Sequence, residues 1–211
     1  MEETEQRILQ VTHSPVSRRN ALRGVGAALA ALSISALNPL TEGRAFAATT
    51  LAGLTDLDIL NFALTLEHLE ANFYIMAVAG GHLSGQALSV LTSIRDHEVA
   101  HVATLTKVIS SLGGTPVAKR AKYNFGDMSS QAAILKTAET LEGTGVGAYT
   151  GAAPLISNKA ALLPAAASIE QVESRHYAAI RFLRGENPVP AAFGPSLTVA
   201  EVTAAVTPIL G

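Results

Sequence analysis

Two copies of a Glu-x-x-His motif are the residues of this sequence most suited to chemistry. The copies are Glu98–His101 and Glu173–His176. On an α-helix, residues three positions apart lie on the same face, one turn from each other. A carboxylate and an imidazole placed in this way are ligands that suit iron or manganese, and also zinc. A single pair of this kind is common on helix surfaces, so its meaning depends on what accompanies the two copies.

The two motifs belong to an internal repeat. They lie 75 positions apart, and the same spacing relates Glu67 to Glu142 and Tyr74 to Tyr149. Apolar positions in the flanking segments shift by the same amount. The repeat therefore predicts two equivalent helix hairpins, each of which contributes one Glu and one Glu-x-x-His.

The repeat also separates the other acidic residues of these segments into those with and those without an acidic counterpart. An acid that has no acidic counterpart in the other copy is not marked by symmetry, and we do not expect it in the site. Glu70 is one of them, because Gly145 occupies the corresponding position. The other two are Glu139 and Glu170.

Helical periodicity predicts four long helices that position these residues. Their expected ranges are about 56–79, 84–112, 129–153 and 160–184. Thr55 with Asp58 predicts a capping box at the first helix, and Ser84 is a candidate N-cap for the second. A short fifth helix is predicted after Thr198, which forms a second capping box with Glu201.

These elements predict an all-α protein. Residues 54–184 would form an antiparallel four-helix bundle built from two duplicated hairpins. The longest connection falls between the second and third helices, and the other two are short enough for hairpins. Residues 185–211 would form a proline-rich tail that carries the short helix.

Each predicted helix carries its acid, or its Glu-x-x-His, in the middle of an apolar stripe. A buried, unpaired carboxylate costs several kcal/mol or takes up a proton, and four that converge also repel one another. Two divalent cations would balance four carboxylates and let neutral imidazoles coordinate. One Glu from each of two helices and Glu-x-x-His from each of the other two is the ligand pattern of di-iron and di-manganese bundles. The predicted ligands are Glu67, Glu98, His101, Glu142, Glu173 and His176. The alternative is a bundle that retains the polar core of a lost metal site.

The other polar side chains of the stripes were also considered. Tyr74 is the candidate catalytic residue, because its phenol could donate a hydrogen bond to a ligand carboxylate or carry an electron; simple packing is the alternative. Tyr149 is its counterpart in the repeat. Three histidines fall off the stripes and are predicted to face solvent. They are His68, His82 and His97.

Residues 1–47 are predicted to be an export signal rather than part of the fold. The segment Ser17–Arg23 contains paired arginines and resembles a twin-arginine signal, and a short apolar stretch follows. Ala45-Phe46-Ala47 has the pattern of a cleavage site. The resemblance implies that the folded chain, with any cofactor already loaded, is periplasmic or extracellular. The alternative is a basic, disordered tail.

Composition excludes several other classes of protein. Of the 211 residues, 48% are hydrophobic and 15% are charged, which is too apolar for a disordered chain. The net charge of −2 and the lack of a basic cluster argue against nucleic acid binding. There is no cysteine, so disulfides and thiolate ligands are excluded.

At the site segments the sequence resembles the ferritin-like superfamily, and within it the exported proteins called desiccation-related. The segments are Asp58–Glu67, Glu98–His101, Leu141–Tyr149 and Glu173–His176. The resemblance implies that Glu98 and Glu173 bridge two metal ions, and that Glu67 and Glu142 are terminal ligands.

The function that this resemblance implies is that of a di-iron or di-manganese oxidoreductase. It would resemble a ferroxidase, a peroxidase or a catalase, would act on O2, peroxide or Fe(II), and would serve in oxidative stress. The alternative is a non-catalytic envelope protein of the stress or desiccation type, with a structural or vestigial metal site. A homodimer is plausible, and we expect no membrane span after cleavage of the signal.

Overall fold

A computed structural model describes residues 53–210, and within this range the chain forms five α-helices and no β-strand. The helices are α1 (Asp56–Ala79), α2 (Gly85–Ser111), α3 (Gln131–Ala152), α4 (Lys159–Leu183) and α5 (Val199–Leu210). A single 3₁₀ turn, Ala153–Leu155, follows α3. The predicted fold class, a four-helix bundle with a short fifth helix, is confirmed. The predicted export signal at 1–47 lies outside the described residues.

The four long helices are arranged as two antiparallel hairpins, α1 with α2 and α3 with α4. The hairpins face each other so that α1 packs against α3 and α2 packs against α4. Hydrogen bonds from Tyr74 to Glu142 and from Tyr149 to Glu67 show that α1 and α3 are antiparallel. Consequently α2 and α3 run in the same direction, and the connection between them must return along the length of the bundle.

This connection, residues 112–130, runs along α1. Val117 N donates a hydrogen bond to Asn61 Oδ1 (2.7 Å), and His68 Nε2 lies 3.2 Å from Val117 O. Further along, the ring of Phe125 packs edge-on against Phe73, with centroids 5.3 Å apart. The prediction that His68 faces solvent is wrong, because its side chain is partly buried and its imidazole contacts the carbonyl of Val117 in this connection.

Capping residues and glycines close to the helix ends determine where most of the helices begin and end. The capping box between Thr55 and Asp58 forms as predicted, and so does the one at Thr198. Gly113 ends α2 with φ +76°, a left-handed conformation that glycine adopts without strain. Ser84 is the N-cap residue of α2, as predicted, but its side chain makes no capping hydrogen bond. The next residue, Gly85, has φ +53°, which departs from the helical geometry that such a bond requires.

The core consists of two apolar clusters with a polar layer between them. One cluster includes Phe73, Leu91, Ile134 and Ile180, and the other includes Leu64, Leu105, Ile109, Leu162 and Ile169. At the end of α2, Ile109 is fully buried, whereas Leu112 is 43% exposed.

The tail closes on α3 through the glycines of that helix. Leu197 N donates a hydrogen bond to Gly147 O (2.9 Å), and a Cβ atom at Gly147 or Gly151 would collide with Leu197. Because this approach brings α5 to the bundle, Val202 and Val206 are buried. The glycines therefore allow Leu197 to pack closely against α3, and α3 remains helical throughout. Within residues 53–210, no helix combines the length and the hydropathy that crossing a membrane would require.

The contact with Leu197 predicts that two glycines of α3 respond differently to alanine. Gly151→Ala should destabilise the fold by about 1–3 kcal/mol, because the new methyl group would meet the backbone of Leu197. Gly143→Ala is the control: its Cβ would meet only the ring of Tyr177, which can shift, and alanine favours helix by about 1 kcal/mol. Urea unfolding measures both changes. Equal losses of stability would contradict the proposed role of Gly151.

Candidate metal centre

The six predicted ligands meet in the polar layer at the middle of the bundle. The four glutamates are fully buried, and His101 and His176 are 9% and 4% exposed. Each long helix contributes at the same depth, because the two copies of the hairpin face each other. Helix α1 supplies Glu67, α2 supplies Glu98 and His101, α3 supplies Glu142, and α4 supplies Glu173 and His176.

The six side chains form two overlapping groups, each able to surround one cation. The first group is Glu67, Glu98, His101 and Glu173, and the second is Glu98, Glu142, Glu173 and His176. Within each group, one ligand atom per residue lies within 4.8 Å of all the others. Glu98 and Glu173 belong to both groups, so they lie where the family resemblance expects bridging carboxylates.

Each imidazole lies at the centre of three carboxylates. Nδ1 of His101 is 3.1–3.2 Å from oxygens of Glu67, Glu98 and Glu173. Nδ1 of His176 is 3.0 Å from Glu98 Oε1 and 3.4 Å from Glu142 Oε2. A single N–H can point at only one of these oxygens, whereas a cation interacts with all of them.

Several buried atoms of the polar layer make no hydrogen bond within the described range. They are Glu98 Oε1, Glu142 Oε2, both carboxylate oxygens of Glu173, and His176 Nδ1. Buried polar atoms of this kind cost free energy unless a partner is supplied. All of them are atoms that can bind a metal, and carboxylate oxygens with imidazole nitrogens suit iron or manganese. The residues present therefore fit a pair of such ions.

Both tyrosines of the repeat hold a carboxylate of the opposite hairpin. Tyr74 donates its hydroxyl hydrogen bond to Glu142 Oε1, and Tyr149 donates to Glu67 Oε1. Both are buried, and burial followed by the nearby carboxylate raises the pKa of each phenol. Each phenol therefore stays protonated and remains a donor. The structure places Tyr149 as close to the centre as Tyr74, the residue predicted to be catalytic.

The carboxyl groups divide into two electrostatic classes. Burial raises the pKa of Glu67, and it raises that of Glu142 to about 8. Burial acts on Glu98 in the same direction, but the imidazoles of His101 and His176 beside it lower its pKa to about 2. Glu98 therefore keeps a negative charge more strongly than Glu67 or Glu142.

Both imidazoles favour the charged form despite their burial. Desolvation lowers the pKa of both, but the carboxylates that surround each ring outweigh it and raise the pKa of His101 and His176 to about 12. Coordination requires a neutral imidazole with a free lone pair. Protons and metal ions therefore compete for the same nitrogen atoms.

His97 contacts the outer nitrogen of one ligand. Its Nδ1 lies 2.9 Å from His176 Nε2, and the two rings are nearly parallel. His97 is exposed, as predicted, but the prediction did not include its contact with His176. The corresponding residue of the repeat is Val172, so His101 lacks an equivalent imidazole neighbour. A hydrogen bond at the outer nitrogen orients a ligating imidazole, and here only His176 receives one from a histidine.

Glu70, which has no acidic counterpart in the repeat, is buried beside the polar layer but belongs to neither of the two ligand groups. Its side chain is 3% exposed and lies among the carboxylates of the polar layer. A Cβ atom at Gly145, its counterpart in the repeat, would be only 3.1 Å from Glu70 Oε1. The absence of a side chain in one copy thus makes room for the extra acid of the other. The pairing of Glu70 with a glycine was the available signal for its burial beside the layer.

The other two acids without counterparts lie outside the centre, as predicted. Glu139 forms ion pairs with Arg181 and Arg184 on the outside of the α3–α4 hairpin. Glu170 accepts a hydrogen bond from Ser174 Oγ (2.9 Å) one turn away on α4. Nearby basic or hydroxyl groups therefore satisfy both acids without a cation.

Comparison with known proteins agrees with this architecture. A family model described as a ferritin-like domain matches residues 55–186, a range that contains all four long helices and all six predicted ligands. A search of curated proteins finds no match to this chain. The matched range is well over half of the chain, and it coincides with the bundle that surrounds the polar layer. The chain belongs to the ferritin-like domain family.

Proposed function

We propose that this protein holds two iron or manganese ions and acts as an oxidoreductase on O2, peroxide or Fe(II) in the cell envelope. The observation that carries the proposal is the set of buried carboxylate and imidazole atoms that face one another without hydrogen-bond partners. A dry interior does not tolerate so much negative charge unless cations or protons share the space.

The residues divide naturally between two ions. Glu67 and His101 would hold one ion, Glu142 and His176 would hold the other, and Glu98 and Glu173 would be shared. Bound iron or manganese would supply one-electron oxidation and reduction. The remaining work belongs to the chain: the two apolar clusters exclude water on both sides, and the tyrosines fix the orientation of the terminal carboxylates.

Loss of a shared carboxylate should have a larger effect than loss of a terminal one. We expect the wild-type protein to bind about two equivalents of Fe(II) or Mn(II), as in other bundles with this ligand pattern. Glu98→Gln should abolish binding at both positions, whereas Glu142→Gln should spare one. Glu170→Gln is the matched control, because Glu170 lies outside the polar layer. Calorimetric titration and elemental analysis measure the stoichiometry.

The metal affinity measured in this titration should depend on pH. Binding should tighten as the pH rises, because His101 and His176 hold protons up to a pKa of about 12 and must lose them to coordinate. Wild-type protein that binds no metal would refute the proposed site. Metal binding that raises stability without any oxidation of Fe(II) or turnover of peroxide would support the alternative, a structural metal site.

The two tyrosines allow a direct test of the catalytic role predicted for Tyr74. Tyr74→Phe and Tyr149→Phe each remove one hydrogen bond to a buried carboxylate, so each should cost about 1–3 kcal/mol of stability in the metal-free protein. If Tyr74 moves a proton or an electron during the reaction, Tyr74→Phe should also lower the oxidation rate by about 100-fold. Equal rates in the two variants would leave both tyrosines with an orienting role only. Urea unfolding and stopped-flow oxidation measure the two effects.

Export by the twin-arginine route is the further part of this proposal, and it rests on Ser17–Arg23 and the small residues that follow. The full-length chain should reach the periplasm or the medium of a bacterial host that has this route. The Arg18→Lys/Arg19→Lys variant should remain in the cytoplasm, and Arg23→Lys is the matched control outside the pair. Cell fractionation measures the distribution. An exported double variant would exclude the twin-arginine route.

A further inference from the structure

We propose that an apolar cavity beside Tyr149 is a binding site for O2, and that it delivers this substrate to one side of the centre only. The inference rests on the proposed function and deepens it, because it selects O2 from the three substrates named there. Two observations carry it: the position and lining of the cavity, and the small residues that create it in one half of the bundle.

The cavity lies between the four long helices, in the apolar cluster that contains Leu105, Leu162 and Ile169. Its volume is about 50 Å³, whereas a single water-sized molecule requires about 10–15 Å³. Thr104 of α2 and Ala165 of α4 line the cavity and are exposed, so it reaches the surface between these two helices. A small molecule can therefore enter it from solvent.

The inner end of the cavity borders the first ligand group. Leu105, which lines it, follows His101 by four residues and so lies one turn along the same face of α2. Tyr149, which also lines it, donates its hydroxyl hydrogen bond to Glu67 Oε1. His101 and Glu67 belong to the first group and not to the second. A molecule in the cavity would therefore approach the first group.

The cavity exists because small residues replace larger ones at positions that the repeat relates. Ala148 corresponds to Phe73, and Ala166 corresponds to Leu91. Phe73 and Leu91 are fully buried, so their side chains fill the equivalent space beside the second group. Two further lining alanines correspond to valines of the other copy, Ala153 to Val78 and Ala165 to Val90. The two halves of the bundle therefore differ in the space that they leave open.

The walls of the cavity favour an uncharged, apolar molecule. Of the residues that line it, only Thr104 and Tyr149 carry polar side-chain atoms. Both hydroxyl groups already donate their hydrogen, Thr104 to Ala100 O (2.8 Å) and Tyr149 to Glu67. Apolar cavities of this kind stay dry and take up apolar molecules such as xenon.

This lining distinguishes between the substrates of the proposed function. Hydrogen peroxide would lose its hydrogen bonds with water and find no donor in the walls, and Fe(II) would lose its hydration; both transfers cost free energy. O2 is uncharged and apolar, so it enters such surroundings without that cost. The cavity therefore suits O2, and Fe(II) and peroxide require another route to the centre.

Xenon tests the cavity in the absence of metal. A crystal of the metal-free wild-type protein under xenon pressure should show xenon in the cavity by anomalous diffraction. Ala148→Phe and Ala166→Leu introduce the residues of the other copy from two different helices, and either substitution should exclude the xenon. Ala167→Leu is the matched control, because Ala167 is exposed and does not line the cavity.

Oxidation kinetics test the delivery of O2. In protein loaded with Fe(II), Ala166→Leu should raise the O2 concentration required for the half-maximal oxidation rate by about 10-fold, an effect that small changes of volume have in apolar pockets. The affinity for Fe(II) and the oxidation rate with hydrogen peroxide should match wild type, because neither depends on the cavity. Ala148→Phe should give the same result, and Ala167→Leu should change none of these quantities.

The outcomes separate this inference from the proposed function. If the wild-type protein takes up no xenon in the cavity, or if the filled variants exclude xenon but keep the wild-type dependence on O2, the inference is wrong and the metal centre stands. Equal losses of the rates with O2 and with peroxide would also contradict it. If the wild-type protein binds no metal, both proposals fail. Xenon exclusion together with a selective loss for O2 would establish the cavity as the O2 site.

Discussion

The burial of negative charge in the middle of an apolar bundle is the constraint on which the rest of the structure depends. Glu67, Glu98, Glu142 and Glu173 are fully removed from water, and apolar clusters cover the layer on both sides. Ionised groups in such surroundings require opposite charge, which imidazolium protons or metal ions can supply. The same arrangement that makes the core costly to fold therefore gives it groups that could bind cations.

Duplication provides the geometry that this constraint demands. Because the two hairpins are copies, each ligand of one half has an equivalent in the other, and the antiparallel packing of α1 on α3 brings the pairs to one depth. The crossed bonds from Tyr74 to Glu142 and from Tyr149 to Glu67 tie the hairpins together at the ligands themselves. Assembly of the bundle and assembly of the site are thus the same event.

The two halves of the polar layer differ at positions where the sequence departs from the repeat. His97 touches the outer nitrogen of His176, whereas Val172 stands in the equivalent place beside His101. Glu70 Oε1 lies beside Gly145, where a Cβ atom would be only 3.1 Å away. The two ligand groups consequently have different surroundings, even though the hairpins that carry them follow one repeated pattern. Such differences allow two ions of one pair to differ in affinity or potential.

The sequence by itself determined the helices, the hairpin repeat and the six repeat-related Glu and His residues that meet in the core, because helical periodicity and a constant spacing are properties of the chain alone. Only the tertiary structure decided how the remaining groups are placed. His68 contacts a connection that is distant in sequence, His97 reaches a histidine of another helix, and Glu70 lies beside Gly145 of α3, where a side chain would crowd it. Each of these depends on the distance between helices, and no pattern within one helix encodes that distance. The repeat identified what the two halves share, and the packing between them decided where they differ.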